Sequence, residues 1–207
     1  MRRLLAAVCS AGLLATAVPV AAARSPVGFS EGSDDEVVQR THARFVGGEL
    51  SGSSCDDAVA RAVEPGFATI VFNYQVSGLR RGAEREFVGR VAFSLGEVTI
   101  TAPRAIVWPH MSLIDRERAE TLRRAIVHHE IGHVRVAEAV RDEMNVRDAI
   151  TQPDRLAFSA ASDALGHEGF ARFKSQEREY DAFTDHGRRQ HAAPGALAGP
   201  DSVIVCR

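Results

Sequence analysis

The sequence has little net charge, few cysteines and no second long apolar run, and these shortages limit the kind of protein it can be. A formal net charge of -2 over 207 residues gives no strong attraction to nucleic acid or to an anionic membrane. No stretch beyond residue 23 is apolar enough to span a bilayer. There is also no internal repeat and no low-complexity tract. What is left is a composition typical of a soluble globular protein, with 45% apolar and 25% charged residues.

The first 23 residues have the organisation of a secretory signal peptide. Arg2 and Arg3 form a positive start, residues 4–18 are apolar, and Ala21–Ala23 supplies the small residues that signal peptidase requires. We therefore expect cleavage after Ala23 and export to the periplasm or the extracellular space. The segment is short and rich in alanine, so an uncleaved membrane anchor is the weaker interpretation. No membrane insertion is expected once the signal is removed.

Removal of the signal leaves two cysteines, Cys55 and Cys206. In an exported chain this number predicts one disulfide, which would connect the start of the mature domain to its last residues. Two unpaired buried thiols are the alternative.

The mature chain is predicted to be one α+β domain, in which a small antiparallel β-sheet is followed by two long helices. Residues 24–35 are rich in Ser, Gly and acids, and we expect them to form a flexible lead-in. The single domain then covers residues 36–207. Within it we predict a β-rich part over 36–110, a helical part over 111–190 and a C-terminal tail over 191–207.

The β-rich part is predicted to hold a short helix and then several strands. Ser53 or Ser54 can cap the helix, and Pro65–Gly66 ends it. Alternating apolar side chains indicate the strands. A tight turn is expected at Gly96–Glu97, and the short connections favour antiparallel pairing. The predicted strands are Phe67–Val76, Phe87–Leu95, Val98–Thr101 and Ala105–Trp108, with Val203–Cys206 as a further edge strand.

Residues 129–133 read His-Glu-Ile-Gly-His and contain His-Glu-x-x-His, the signature of zinc hydrolases of the zincin class. Residues four apart share one face of a helix, so His129 and His133 can direct two imidazoles at one Zn2+ ion. Glu130 can then reach a water at the metal and act as general base. Either Ser112, with Asp115 three positions later, or Asp115 itself is expected to cap this helix. Apolar residues at spacings of three and four place both histidines on its core-facing side, which predicts a zincin-like metal-binding core.

A zinc site also needs a third protein ligand, and the second predicted helix, Phe158–Asp185, has candidates near its end. Glu177 and Asp181 resemble the pattern in the second helix of gluzincins, where Glu binds zinc and Asp orients a ligand histidine. His186 lies just before Gly187, at which the helix is expected to end. The spacing alone leaves Glu177, Asp181 and His186 open as the third ligand.

A longer motif resembles the bacterial family of predicted secreted zinc-dependent proteases (domain of unknown function 922). The motif is Tyr-Asp-x-x-Thr-x-His-Gly-x-x-Gln, found here at residues 180–190, and a Trp-Pro pair precedes the His-Glu-x-x-His helix. His191 stands where we associate a Gly with the family. The resemblance implies that Asp181 and His186, rather than Glu177, are functional. We therefore favour Asp181 as third ligand and His186 as a catalytic hydrogen-bond donor to the transition state, with His186 or Glu177 as alternative ligands.

These patterns predict an exported zinc metallopeptidase that acts on peptide or protein substrates and has no nucleic-acid partner. One alternative is a zinc-binding envelope or secreted interaction module without significant turnover. Another is a metal amidase that acts on cell-wall peptides. Of the neighbouring polar residues, His128 is expected at the surface and Tyr180 in the core.

Overall fold

The computed structural model describes residues 32–63, 66–82 and 85–206. The predicted signal peptide and most of the predicted lead-in lie outside these residues. The architecture is mixed α+β, as the sequence indicated. In chain order the elements are α1 (Asp34–Thr41), β1 (Arg44–Val46), β2 (Glu49–Ser51), α2 (Cys55–Val63), β3 (Phe67–Arg81), β4 (Phe87–Thr101), β5 (Ala105–Val107), α3 (Leu113–Asn145), β6 (Ile150–Gln152) and α4 (Arg155–Thr184). None of the helices described is both long enough and apolar enough to cross a membrane.

The main sheet is built on the long antiparallel pair β3 and β4. β6 adds to the start of β4 in antiparallel orientation, whereas β1 pairs in parallel with the end of β4. β2 and β5 form a separate parallel pair. The prediction of a purely antiparallel sheet is therefore wrong for β1 and β2. The chain passes through α2 and β3 between β1 and its partner β4, and through α2, β3 and β4 between β2 and its partner β5. Connections of this length allow two strands to pair in parallel.

Gly96 and Glu97 form a β-bulge instead of the predicted tight turn. Ile70 pairs with Val98 and Phe72 pairs with Leu95, so one residue of β3 faces two residues of β4. An extra residue of this kind bends a strand without ending it. β4 therefore continues as one strand where the sequence suggested two.

The C-terminal tail contains no strand within the described residues, so the predicted edge strand Val203–Cys206 is wrong. The tail instead forms two short 3₁₀ turns, at Gln190–Ala192 and Gly195–Leu197, and Leu197 is buried. The predicted disulfide is confirmed, because Cys206 is bonded to Cys55 at the start of α2.

The helix α3 is the central element of the fold. Ser112 caps it through the predicted capping box. Residues 129–140 are all buried, because the sheet, α4 and α1 cover different sides of the helix. The middle of α3 is therefore held rigidly on several sides.

The helix α1 covers a side of α3 that is polar in sequence. Asp34 and Asp35, which were expected in the flexible lead-in, form its first turn behind the N-cap Ser33. Asp34 Oδ2 lies 2.8 Å from His128 Nδ1, and Asp34 Oδ1 lies 3.1 Å from an Arg135 Nη atom. The prediction of a surface position for His128 is wrong, because α1 and the C-terminal tail at Leu197 and Gly199 leave only 15% of its side chain exposed.

Candidate metal centre

The middle of α3 carries His129, Glu130 and His133 in the core-facing arrangement that the sequence predicted. Only 5%, 3% and 9% of their respective surfaces are exposed. The two imidazole centroids are 5.0 Å apart, since residues four apart lie on one side of a helix. Buried groups of this polarity need polar or ionic partners.

Asp181 on α4 is shared by both histidines. Its Oδ1 atom lies 3.3 Å from Nε2 of His129 and 3.1 Å from Nε2 of His133. One ligand atom from each of the three residues lies within 4.8 Å of the others. Two imidazole nitrogens and one carboxylate oxygen at this spacing can hold a divalent metal ion and leave a coordination position open.

The polar atoms of this cluster fit a cation. Asp181 Oδ1 is buried and lies within 3.3 Å of both Nε2 atoms, but it is not well aligned for a hydrogen bond with either, nor bonded to another group within residues 32–63, 66–82 and 85–206. Burial acts to raise the pKa of Asp181, but His129 and His133 outweigh it and hold that pKa below its usual range. Burial likewise acts to lower the pKa of His133, yet Asp181 raises it overall. The cluster therefore attracts positive charge, which a proton or a metal ion can supply.

The two alternative ligands lie at the edge of the cluster. Glu177 Oε1 is 4.0 Å from Nδ1 of His133, the ring nitrogen that does not face Asp181, and Glu177 Oε2 accepts a hydrogen bond from Lys174. His186 follows the end of α4, with Nδ1 3.6 Å from Asp181 Oδ1 and 73% of its side chain exposed. The geometry favours Asp181 as the third ligand. Glu177 lies as an outer neighbour of His133, the reverse of the gluzincin-like assignment.

Glu130 is buried beside the same cluster. Its Oε2 atom has no hydrogen-bond partner among the described residues. Burial raises the pKa of Glu130, although the charges of His133 and His129 act in the opposite direction. The backbone N–H of Ala68, at the start of β3, donates to this carboxylate. A carboxyl group with a raised pKa is a stronger base than an exposed one.

A cleft of about 480 Å³ opens this cluster to solvent. It is bordered by the first residues of β3, the middle of α3 and the C-terminal half of α4. The outer edge of β3 pairs with no strand in the part of the chain that the structure describes. Besides the residues already discussed, Gly66, Phe67 and Arg178 line the cleft.

Tyr180 and Gln190 enclose the ring of His129. Tyr180 stacks on the ring with 5.0 Å between centroids and donates a hydrogen bond to the His129 carbonyl oxygen. Gly132 permits this approach, since a Cβ there would collide with the Tyr180 hydroxyl. Gln190 Oε1 lies 3.0 Å from Nδ1 of His129. Tyr180 is in the core as predicted. The sequence analysis assigned no function to Gln190, although Gln190 is the last residue of the spaced motif at 180–190 and this membership was the available signal.

The fold and the site define an α+β protein whose two long helices bring a His–His–Asp cluster together beside a buried glutamate. The chain belongs to the family described as "Bacterial protein of unknown function (DUF922)", which matches residues 67–187 and so covers more than half of the sequence. The matched region includes α3, α4 and the strands β3 and β4. No curated protein and no solved structure matches the chain.

Proposed function

We propose that this protein is an exported zinc-dependent metallopeptidase with a zincin-like helical core. The observation that carries the proposal is the convergence of His129 Nε2, His133 Nε2 and Asp181 Oδ1 beside the buried carboxylate of Glu130. Two imidazoles and one carboxylate with an open position form a ligand set typical of catalytic zinc. Within the described residues, Asp181 Oδ1 lies 3.1–3.3 Å from both Nε2 atoms without good hydrogen-bond alignment to either, which favours a shared metal ion over a purely structural ion pair.

His129, His133 and Asp181 would hold the ion. When bound, zinc would lower the pKa of a coordinated water and polarise the substrate carbonyl. Glu130 takes a proton from the attacking water and later passes it to the leaving amine. Its buried position excludes bulk water from the carboxylate, and its raised pKa suits it to carry the proton between the two steps.

His186 is proposed to donate a hydrogen bond to the oxyanion that develops on the substrate carbonyl. Its side chain lines the cleft and is 73% exposed, so substrate can reach it. Replacing His186 by Ala should reduce kcat strongly while zinc affinity changes little. An equal loss of zinc affinity would instead identify His186 as a metal ligand.

The substrate is proposed to be a peptide in extended conformation. The start of β3 lines the cleft and has a free outer edge with respect to the strands described. An unpaired strand edge offers backbone N–H and C=O groups to a second extended chain. Phe67 is 54% exposed beside this edge and can contact an apolar substrate side chain.

Two features support the proposal that the protein is exported. Residues 1–23 have the pattern of a signal peptide, and the Cys55–Cys206 disulfide is of a kind that persists mainly in oxidising compartments. Fractionation of cells that produce the full chain, followed by N-terminal sequencing, should give an exported protein that begins at Arg24. Retention of an intact leader in the cytoplasm would contradict this proposal.

The decisive experiment compares wild type with Glu130→Gln on casein and on a peptide library, with and without a chelator. We expect wild type to cut and the chelator to stop it, while Glu130→Gln keeps its zinc and loses at least about 100-fold in activity, as expected for loss of a general base. Glu117→Gln, on an exposed turn of the same helix, is the matched control and should cut normally.

The other outcomes separate the rival functions. Chelator-sensitive cleavage that survives in Glu130→Gln would exclude the proposed proton transfer. A zinc-loaded wild type that cuts no substrate would favour an interaction module. Cleavage of peptidoglycan fragments but not of proteins would favour a metal amidase.

A further inference from the structure

We infer that Gln190 is a positioning residue that fixes His129 in the tautomer whose Nε2 lone pair faces Asp181. The inference deepens the proposed metal site, on which its consequence for zinc affinity rests. The tautomer itself is a property of the metal-free chain and can be measured independently of zinc.

Gln190 is completely buried behind the His129 ring. Its Oε1 atom lies 3.0 Å from Nδ1 of His129. Its Nε2 atom lies 2.8 Å from the hydroxyl oxygen of Tyr180 and also donates to the backbone carbonyl of Leu197. The two polar atoms of the Gln190 side chain therefore make three contacts, each to one named atom.

The carbonyl of Leu197 determines every donor and acceptor in the network. A backbone carbonyl oxygen can only accept, so the amide NH2 group of Gln190 must face Leu197 and Tyr180. The amide oxygen then faces His129, and Nδ1 of that ring must carry the proton. When the ring is neutral, the remaining nitrogen, Nε2, carries the lone pair, and Nε2 is the atom that faces Asp181. This is the tautomer that a metal ligand needs.

Tyr180 completes the network as a ring of hydrogen bonds. Its hydroxyl accepts from Gln190 and donates to the His129 carbonyl oxygen at 3.2 Å. His129 is thus held at its ring nitrogen, at its backbone and across the face of its ring. Rotation of the imidazole about χ2 would break the bond to Gln190 and the stacking on Tyr180 together.

The tail that follows α4 holds Gln190 in this position. The 3₁₀ turn that begins at Gln190 is tied to the last residues by a hydrogen bond from the His191 N–H to Asp201. Ser202 donates its N–H to the carbonyl of Gly187, whose positive φ of 85° forms the turn beside His129. The Gln at the end of the spaced motif is therefore held in a fixed position beside His129.

His133 has no comparable support. Its Nδ1 atom is buried and forms no hydrogen bond to the residues that the structure describes. The nearest carboxylate, Glu177, is 4.0 Å away. Orientation of the site therefore depends mainly on His129, and loss of Gln190 has no substitute on the other histidine.

The test is long-range ¹H–¹⁵N NMR of the metal-free protein with ¹⁵N-labelled histidine, combined with zinc titration against a chelator. In wild type we expect the neutral His129 ring to carry its proton on Nδ1. In Gln190→Leu we expect a mixture of tautomers and a loss of about 10–100-fold in zinc affinity, as is typical when an outer partner of a ligand histidine is removed. Gln190→Met, which is closer in length, gives the same measurement if Gln190→Leu does not fold.

Ser162→Ala is the structural control. Ser162 is buried in α4 and donates a hydrogen bond to the Phe158 carbonyl, about five helical turns before Asp181. It should lower stability and leave both the tautomer and the zinc affinity unchanged.

A neutral wild-type His129 ring with its proton on Nε2 instead of Nδ1 would overturn the inference. So would a folded Gln190 variant that keeps the Nδ1 tautomer and full zinc affinity. If wild type shows the expected tautomer and binds no zinc, the proposed metal site fails, while the positioning of His129 by Gln190 stands.

Discussion

At the scale of single residues, the candidate site depends on which atoms of α4 face α3. Asp181 Oδ1 approaches the Nε2 atoms of both histidines, whereas Glu177 approaches only Nδ1 of His133. Helical spacing places Glu177 and Asp181 on one face of α4, but it does not determine which of them lies opposite the histidines of α3. The choice between Asp181 and Glu177 therefore depends on how α4 packs, and spacing alone left it open.

Zinc affinity should separate these two carboxylates. Asp181→Asn is expected to weaken zinc binding by more than about 100-fold, because it removes a ligand. Glu177→Gln should weaken it by less than about 10-fold, below the effect of an outer partner, because Glu177 lies 4.0 Å from Nδ1 of His133 and makes no hydrogen bond to it. Competition with a chromogenic chelator measures both variants. The reverse order would assign Glu177 as the third ligand.

Glu130 should reduce the stability of the metal-free protein. Its folded-state pKa is raised by burial, so the folded chain holds the proton more tightly and loses stability as pH rises through that pKa. Glu130→Gln should therefore increase the free energy of unfolding at pH 7 by about 0.5–2 kcal/mol, the range usual for a single stabilising substitution. Urea unfolding in the presence of chelator measures this change. A less stable Glu130→Gln variant would show that the carboxylate contributes favourably to the fold.

At the scale of elements, α3 is central because three different neighbours cover it. Its capping box and its buried face could be predicted from the sequence, since both depend on residues close together in the chain. The packing of α1 on His128 and Arg135 could not be predicted from the sequence, because those contacts join residues about a hundred positions apart. The bulge at Gly96 was also misassigned, since a Gly-polar pair marks a turn and a bulge equally well.

The attachment of α1 should depend on pH in both directions. Burial acts to raise the pKa of Asp34, but His128 and Arg135 lower it overall, so its contribution is lost as pH falls through the lowered value. The pKa of His128 is raised by Asp34, and its contribution is lost as pH rises through the raised value.

The stability difference between wild type and Asp34→Asn should therefore be largest between the ordinary values of 3.8 and 6.5. We expect about 1–2 kcal/mol there, in the range of a partly exposed charged hydrogen bond. Urea unfolding from pH 3 to about pH 9 measures the difference. Asp35→Asn, on the exposed side of the same turn, is the control. A difference that does not vary with pH would contradict the role of this pair.

At the level of the whole chain, the disulfide joins the start of α2 to the C-terminal tail that carries Gln190. Cys55 begins α2, and Cys206 ends the tail that carries Gln190 and contacts Gly187. The residues between them include β3, β4 and both long helices, with a sequence separation of 151. The pairing of the two cysteines was predictable from their number and from the predicted signal peptide, but the passage of the tail behind His129 was not.

Removal of this disulfide should affect stability and the site together. Closure of so long a loop contributes at most about 5 kcal/mol, so Cys55→Ser/Cys206→Ser is expected to have a clearly lower Tm and weaker zinc binding. Calorimetry and chelator competition measure the two effects, with reductant-treated wild type as a second route to the same state. An unchanged Tm would mean that the tail is held by its other contacts.

The most direct test of the metal site is a crystal structure of zinc-loaded protein with anomalous diffraction data collected at the zinc absorption edge. We predict one strong peak at about 2.0–2.2 Å from Nε2 of His129, Nε2 of His133 and an Oδ atom of Asp181, the distances usual for zinc with these donors. Glu130 should lie beside the peak without coordinating it. The absence of a peak from this position in protein that retains its fold, or a peak coordinated by other residues, would contradict the proposed site.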